Sequence, residues 1–283
     1  MTCPCLFVSD LHGSRSRYRT LWEVAAAERP AAVLLGGDLL SNSVGMGGAN
    51  TFVREVFEAE VEELRDRLGS SFPKILLIPG NDDAAVDFAS FEAGETRGLW
   101  QLIHRRRVAV GEHDLYGYGC VPPTPFLLKD WECYDVSRFT DPGCLSPEEG
   151  HRTAAVDPDE IRYGTIAGAL ETMAGEKDQN SAVWLFHSPP YRTALDRAAL
   201  DGQSYEHVPL DVNIGSIAVR RFVEERQPLL TLHGHVHESA RLTQKWREQL
   251  GRTWIVSAAH DGPELALVRI DLDDPANVTR ELL

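Results

Sequence analysis

No apolar run in the 283-residue chain approaches the roughly 18–20 consecutive positions a helix needs to cross a bilayer, which excludes a helical membrane protein. The first ten residues, Met1 to Asp10, carry no basic segment and no small-residue cleavage site. No secretory leader is expected, and the expected location is cytoplasmic. Cysteine is sparse: Cys3, Cys5, Cys120, Cys133 and Cys144 are scattered, odd in number and without framework spacing. That pattern excludes a disulfide scaffold and predicts free thiols acting as small hydrophobes. Cys3 and Cys5 would need a second such pair to hold zinc, and the chain has none. Positive charge is also short, with 28 Lys and Arg against 43 Asp and Glu, a net charge of −15. Such a surface repels polyanions, which disfavours nucleic acids and anionic membranes as partners. The one basic cluster, Arg105-Arg106-Arg107, reads as a solvated turn.

What is present is an alternation of short apolar runs with longer amphipathic stretches. Cys5 to Val8, Ala32 to Leu35 and Lys74 to Ile78 read as buried strands, separated by helices over Arg17 to Glu28 and Thr51 to Leu68, with a flexible loop at Gly45 to Gly48. This order predicts parallel strands covered on both faces. Leu99 to Ile103, Arg107 to Val110 and Asp114 to Gly119 read as hairpin strands. Residues 122–152 hold five prolines with little periodicity and read as a long excursion, a candidate lid packed by its own aromatics. Helical character returns over Asp159 to Met173, and Thr253 to Ser257 with Leu265 to Ile270 is expected to close the chain as an antiparallel pair. With no repeat and no linker, residues 1–283 are read as one domain.

Five times a buried strand runs directly into a polar residue of ligand type. The five sites are Asp10-Leu11-His12, Gly37-Asp38, Gly80-Asn81-Asp82-Asp83, His187 and His233-Gly234-His235-Val236-His237. Ligands of open α/β sheets bind beyond the carboxyl ends of the strands, so these residues are expected to converge on one crevice if the strands share a sheet. Carboxylates mixed with imidazoles suit Mn, Fe, Ni or Zn, whereas an all-oxygen set suits Mg or Ca. Asp10 and His12, like His235 and His237, are two apart, so extended backbone would aim them to one side. Asp10, Asp38, Asp82 and Asp83 would repel one another strongly without cations.

The ordered set Asp10-x-His12, Gly37-Asp38, Gly80-Asn81-x-Asp83, His187 and Gly234-His235-x-His237 resembles the signature of the calcineurin-like metallophosphoesterases, over residues 10 to 237. The resemblance implies an α/β, four-layer α/β/β/α sandwich with two central mixed sheets. It implies that Asp10, His12, Asp38 and His237 hold one divalent ion, and that Asp38 (bridging), Asn81, His187 and His235 hold a second. Two such ions would share a bridging water, lower its pKa and present it to phosphorus as hydroxide. The function expected is hydrolysis of a small phosphorylated or nucleotide-like ester. The alternatives are a phosphomonoesterase, a nuclease and a non-catalytic scaffold of the same fold; nothing in the pattern sets an oligomeric state.

The chain departs from that signature at Asp82, where many family members carry His. Beside dications a carboxylate is a poor general acid, which tips the expectation towards phosphodiesters. His260, in the turn after the Trp254 strand, is the other candidate proton donor. Asp83 is expected to brace a ligand histidine, His233 to be a hydrogen-bonded core residue, and His104, His113, His151 and His207 to be exposed. Tyr191 and Arg192 are weaker candidates for touching substrate phosphate.

Overall fold

The computed structural model describes residues 2–41 and 51–283, so the loop expected at Gly45 to Gly48 lies outside the described residues. Alternation along the buried strands sets the architecture. In β1 (Pro4–Val8), Leu6 and Val8 join one apolar cluster while Cys5 and Phe7 join another. Successive side chains of a strand point to opposite faces, so a strand apolar throughout must be covered twice. β2 (Ala32–Gly36) and β3 (Lys74–Ile78) split the same way: Val33, Leu35, Ile75 and Leu77 on one side, Leu34, Leu76 and Ile78 on the other.

The first cluster lies under α1 (Arg15–Glu28) and α2 (Glu58–Leu68), through Tyr18, Leu21, Trp22, Val61 and Leu64. The second lies between two sheets, joining Phe7 and Leu34 to Val183 and Leu185 of β7 (Val183–Phe186) and to Leu230 and Leu232 of β10 (Leu230–His233). A third packs Trp184 and Phe186, the opposite face of β7, against α3 (Ile166–Ala174) and α4 (Ile217–Arg226). Three apolar clusters between four layers of structure make the expected α/β/β/α sandwich.

Both sheets have six strands. β1, β2, β3 and β4 (Gln101–Leu102) run parallel in that order, and β13 (Ala266–Asp271) and β14 (Thr279–Leu282) extend the other edge antiparallel. In the second sheet β12 (Thr253–Ser257), β10, β7 and β6 (His113–Tyr118) are parallel, flanked by antiparallel β11 (Arg247–Leu250) and β5 (Arg106–Val110). A small ribbon of β8 (Ser204–Tyr205) and β9 (Val208–Pro209) stands apart.

Three expectations are corrected. The 99–119 region does not form one set of hairpins: β4 completes the first sheet, and only β5 and β6 pair antiparallel, in the second. β12 and β13 are not partners but belong to different sheets, because β12 finds β10 and β13 finds β1. The helical stretch from Asp159 is two helices, Pro158–Tyr163 and α3, broken at Gly164-Thr165, where the Thr165 hydroxyl caps α3 through Gly168 N–H.

The 122–152 excursion is tied down by charge more than by its aromatics. Lys129 and Glu132, both fully buried, pair at 2.6 Å; Glu132 also accepts from Thr124 N–H and hydroxyl, and Lys129 donates to Thr124 carbonyl. Asp135 accepts from the Ser216 hydroxyl and from the N–H groups of Ile217 and Ala218, so a carboxylate of the excursion caps α4. Phe139 is exposed, whereas Trp131 packs on Phe88 and His104 outside the excursion. Among the described residues no helix is long and apolar enough to cross a membrane.

Candidate metal centre

All five ligand-bearing segments lie at the carboxyl ends of parallel strands, but not of one sheet. β1, β2 and β3 deliver Asp10, Asp38 and Asn81 from the first sheet; β7 and β10 deliver His187, His235 and His237 from the second. Backbone bonds tie together the strand ends within each rim, and a side chain joins the two rims. Asp10 N–H donates to Gly37 carbonyl, His12 N–H to Asp38 carbonyl, and Gly234 N–H to His187 carbonyl. His187 Nδ1 lies 2.8 Å from the carbonyl oxygen of Gly36 across the sheet boundary.

The ligand segments are not extended, contrary to what their two-residue spacing suggests. Asp10, His12, Asp38 and His235 all take positive φ, at 57°, 45°, 53° and 73°. Each sits in the left-handed region that non-glycine residues seldom enter, so sharp turns rather than strand alternation aim these side chains. Two glycines make the approach feasible. A Cβ on Gly80 would lie 2.2 Å from Asp38 Oδ1, and one on Gly234 would lie 1.9 Å from Ser9 Oγ and 2.8 Å from Asp10 Oδ2.

Ligand atoms of Asp10, His12, Asp38 and His237 all lie within 4.8 Å of one another. His237 Nε2 is 3.3 Å from both Asp10 Oδ1 and His12 Nε2. Asp38 Oδ2 is also 3.3 Å from His187 Nε2, and the His187 and His235 rings are 5.2 Å apart. Asp38 Oδ1 accepts from Asp82 N–H at 2.9 Å. The Asn81 amide nitrogen donates to Asp82 Oδ1 at 3.0 Å, which turns the Asn81 oxygen the other way.

Three atoms of this set are buried without a hydrogen-bond partner: Asp10 Oδ2, Asn81 Oδ1 and His187 Nε2. A buried unpartnered polar atom costs on the order of 1–3 kcal/mol, and more when charged. Three in one cluster, all lone-pair donors, are what divalent cations would satisfy. The residues therefore fit the metal ions that the donor chemistry implies.

The protein's own charges respond to this crowding. Burial opposes a charge on His187, but Asp38, Asp10 and the Gly36 carbonyl override it and push its pKa up to about 10. Burial likewise opposes His237, yet Asp10 raises it to about 9. Burial pushes Asp10 and Asp38 upward, and the surrounding histidines more than reverse this, leaving both below the ordinary carboxylate range. His235 falls to about 3 through burial and the charge of His187.

A family model, calcineurin-like phosphoesterase, matches residues 3–239. The chain belongs to that family. Among solved structures, this chain is similar to the TT1561 protein of Thermus thermophilus, at 17% identity and TM-score 0.57 over 100% of this chain and 99% of that one. It is similar also to a dimetal phosphatase from Danio rerio, at 10% identity and TM-score 0.52 over 95% and 92%. At these identities the likeness shows a shared fold. No curated protein is matched.

Other sequence expectations fare variously in the structure. His233 is a buried residue bonded to Thr231 Oγ1 and the Ser188 carbonyl, as expected. Asp83 braces backbone rather than a histidine: its carboxylate accepts from Leu39, Leu40 and Gly80 N–H, locking the turns that carry Asp38 and Asn81. His113 is buried between the Ser181 carbonyl and Asp273, and His104 stacks on Tyr118 and accepts from Gly119 N–H, so neither is exposed; His151 and His207 are. Asp82 Oδ2 faces His12 Nδ1 at 3.8 Å. His260 is half-buried with Nε2 3.0 Å from Glu264 Oε2. Tyr191 is engaged by Asp211, with Arg192 over its ring. The three arginines 105–107 pair with Glu160, Glu95 and Asp114.

Arg17 was missed. Its guanidinium donates to the Asp10 carbonyl at 2.8 Å and to the Gly262 carbonyl at 2.5 Å, tying the His260 turn to a ligand loop. An arginine on a helix face gives no sequence signal for such a role.

Proposed function

We propose that the protein hydrolyses phosphate esters, with a preference for phosphodiesters, at a centre of two divalent ions, and that the substrate is a small or nucleotide-like phosphate. The observation that carries this reading is the carboxylate of Asp38. Asp38 lies within ligand distance of Asp10, His12 and His237 and also 3.3 Å from His187, which supports one ion held by Asp10, His12, Asp38 and His237 and a second by Asp38, Asn81, His187 and His235. When bound, two divalent ions supply Lewis-acid charge to the phosphoryl oxygens and lower the pKa of a water. The chain's part is positioning. Asp83 fixes the turns, Asp82 orients the Asn81 amide, and half-buried His12 and His237 form the solvent-facing rim.

The direct test is hydrolysis of bis-nitrophenyl phosphate and nitrophenyl phosphate by chelator-stripped protein resupplied with manganese. Faster diester cleavage with two metal ions per chain is expected. A well-folded, metal-loaded protein that cleaves neither would leave the scaffold reading.

Loading should release protons. His187 and His237, with pKa values near 10 and 9, carry protons at neutral pH that metal ligation must displace. About two protons should leave at pH 7, and affinity should climb roughly tenfold per pH unit for each proton displaced, levelling off above about pH 10. Calorimetry of manganese binding in buffers of different ionisation heat measures this; release of no protons would contradict the assignment of both rings as ligands.

Asp82 stands where a histidine would offer a proton to the leaving alkoxide. Asp82→His is expected to raise the ratio of monoester to diester turnover about tenfold, within the range of one general acid. An unchanged ratio would remove Asp82 as the source of the diester preference.

A further inference from the structure

Cys120 and Cys133 are distant in sequence and joined in the fold. Val121 N–H donates to the Trp131 carbonyl at 3.0 Å and Cys133 N–H to the Val121 carbonyl at 3.1 Å, a parallel bridge of Val121 with Glu132. The two cysteines flank that bridge, and the side chains of both act on the buried Tyr118 hydroxyl and on each other. Both residues line a cavity of about 230 Å³, together with His104, Arg105, Trp131 and Arg152. Cys120 is buried and Cys133 half-buried, while Arg105 and Glu160 at the rim are exposed.

The charges around the pair favour a thiolate. Arg105, paired with Glu160, and Arg152 both act on it; Arg152 Nε is buried and unpartnered. The nearby acids are already engaged, Asp130 by Ala85 and Thr153 and Glu132 by Lys129 and Thr124. The hydrogen bond from Cys120, aided by the two guanidinium groups, holds Cys133 below the ordinary thiol value against the effect of burial. Cys120 is pushed up in turn, first by that same hydrogen bond and then by burial. Cys3 and Cys5 are also neighbours, and there too one thiol, Cys3, is held below the ordinary value, by the hydrogen bond from Cys5 and by His113 against burial, Asp271 and Asp273; what sets Cys120 and Cys133 apart is the cavity that both of them line with two arginines.

We propose that Cys120 and Cys133 form a reversible dithiol–disulfide site, oxidised by a small peroxide, which staples the root of the 122–152 excursion to the end of β6. The Cys133 thiolate attacks a peroxide oxygen; an S–O bond forms, the O–O bond breaks, and hydroxide leaves and is protonated. The Cys120 sulfur then attacks the Cys133 sulfur, forming S–S and breaking S–O, and the Cys120 proton leaves with the departing hydroxide as water. Two thiols and hydrogen peroxide thus become one disulfide and two waters. The staple reaches the metal centre through Trp131, whose indole N–H donates to the Asp83 carbonyl, beside the turn of Asn81.

The test is treatment of the intact reduced chain with hydrogen peroxide, followed by peptide mapping and limited proteolysis. A 120–133 linkage is expected, reversed by dithiothreitol, with cleavage inside residues 122–152 slowed at least about fivefold. Cys120→Ser should stop the reaction at a Cys133 sulfenic acid that dimedone traps. Cys133→Ser, or Cys133→Ala if the first variant misfolds, should leave Cys120 unoxidised. Oxidation confined to Cys3, Cys5 or Cys144, or a chain left fully reduced under conditions that oxidise a control dithiol, would overturn the proposal.

Discussion

Asp38→Asn is expected to lower phosphoester hydrolysis by at least about a thousandfold while leaving the chain folded. Asparagine is close to isosteric and keeps an acceptor for Asp82 N–H, which donates to Asp38 Oδ1 at 2.9 Å. What it removes is the negative charge that lies close both to His187 and to Asp10, His12 and His237. A thousandfold loss corresponds to about 4 kcal/mol of transition-state stabilisation, a reasonable share for a bridging ligand of a two-ion centre. Metal analysis should show fewer than two ions per chain, and the metal-free chain should melt somewhat lower at neutral pH, because His187 loses the carboxylate that it pairs with and that keeps it protonated. Turnover within tenfold of the parent, at full metal content, would mean that Asp38 does not bridge.

The second large effect is on stability. Lys129→Met should lower it by about 3–5 kcal/mol, since it leaves the Glu132 carboxylate buried without its cation. For a chain of this size that is a fall in melting temperature of roughly 5–15 °C. Burial already pushes Glu132 upward, with Lys129 and Thr124 opposing it. The single variant should therefore recover part of its loss as the pH is lowered and Glu132 takes up a proton. Lys129→Met combined with Glu132→Leu should regain more than half of the loss, though Thr124 N–H and hydroxyl then lose their acceptor. If the single variant melts with the parent, the pair does not hold the excursion.

The two sets of predictions draw on parts of the chain that differ in how openly they are written. The residue types of the metal cluster were legible because chemistry restricts them: cations need carboxylate and imidazole, and such residues stood after five buried strands. Their aim was not legible. A two-residue spacing suggested extended backbone, whereas Asp10, His12, Asp38 and His235 occupy left-handed turns, which only the surrounding hydrogen bonds hold in place. Strand partners were missed where they lay far along the chain, as for β12 and β13, because local pattern reports burial but not which neighbour provides it. Lys129 and Glu132 were hidden for a related reason: two charged residues three apart in a proline-rich segment read as surface, and only the packed excursion makes them an interior pair.

By itself the sequence determined the family, the parallel β-α-β-α-β start, the mixed carboxylate and imidazole donors, and the absence of a long apolar helix. The family was legible through the resemblance of five ordered motifs over residues 10 to 237 to a known signature; the rest follows from composition or from short-range order, which the chain carries before it folds. Tertiary structure alone decided that the donors come from two sheets rather than one, that Asp38 lies close both to His187 and to Asp10, His12 and His237, and which groups Arg17, Asp83 and the Cys120–Cys133 pair meet. The reason is that these contacts join loops at the ends of different strands, and in the case of the donors loops from both sheets. Their geometry is set by how the faces of β1–β3 and β7–β10 pack through the shared apolar layer, and no local stretch of residues encodes that distance.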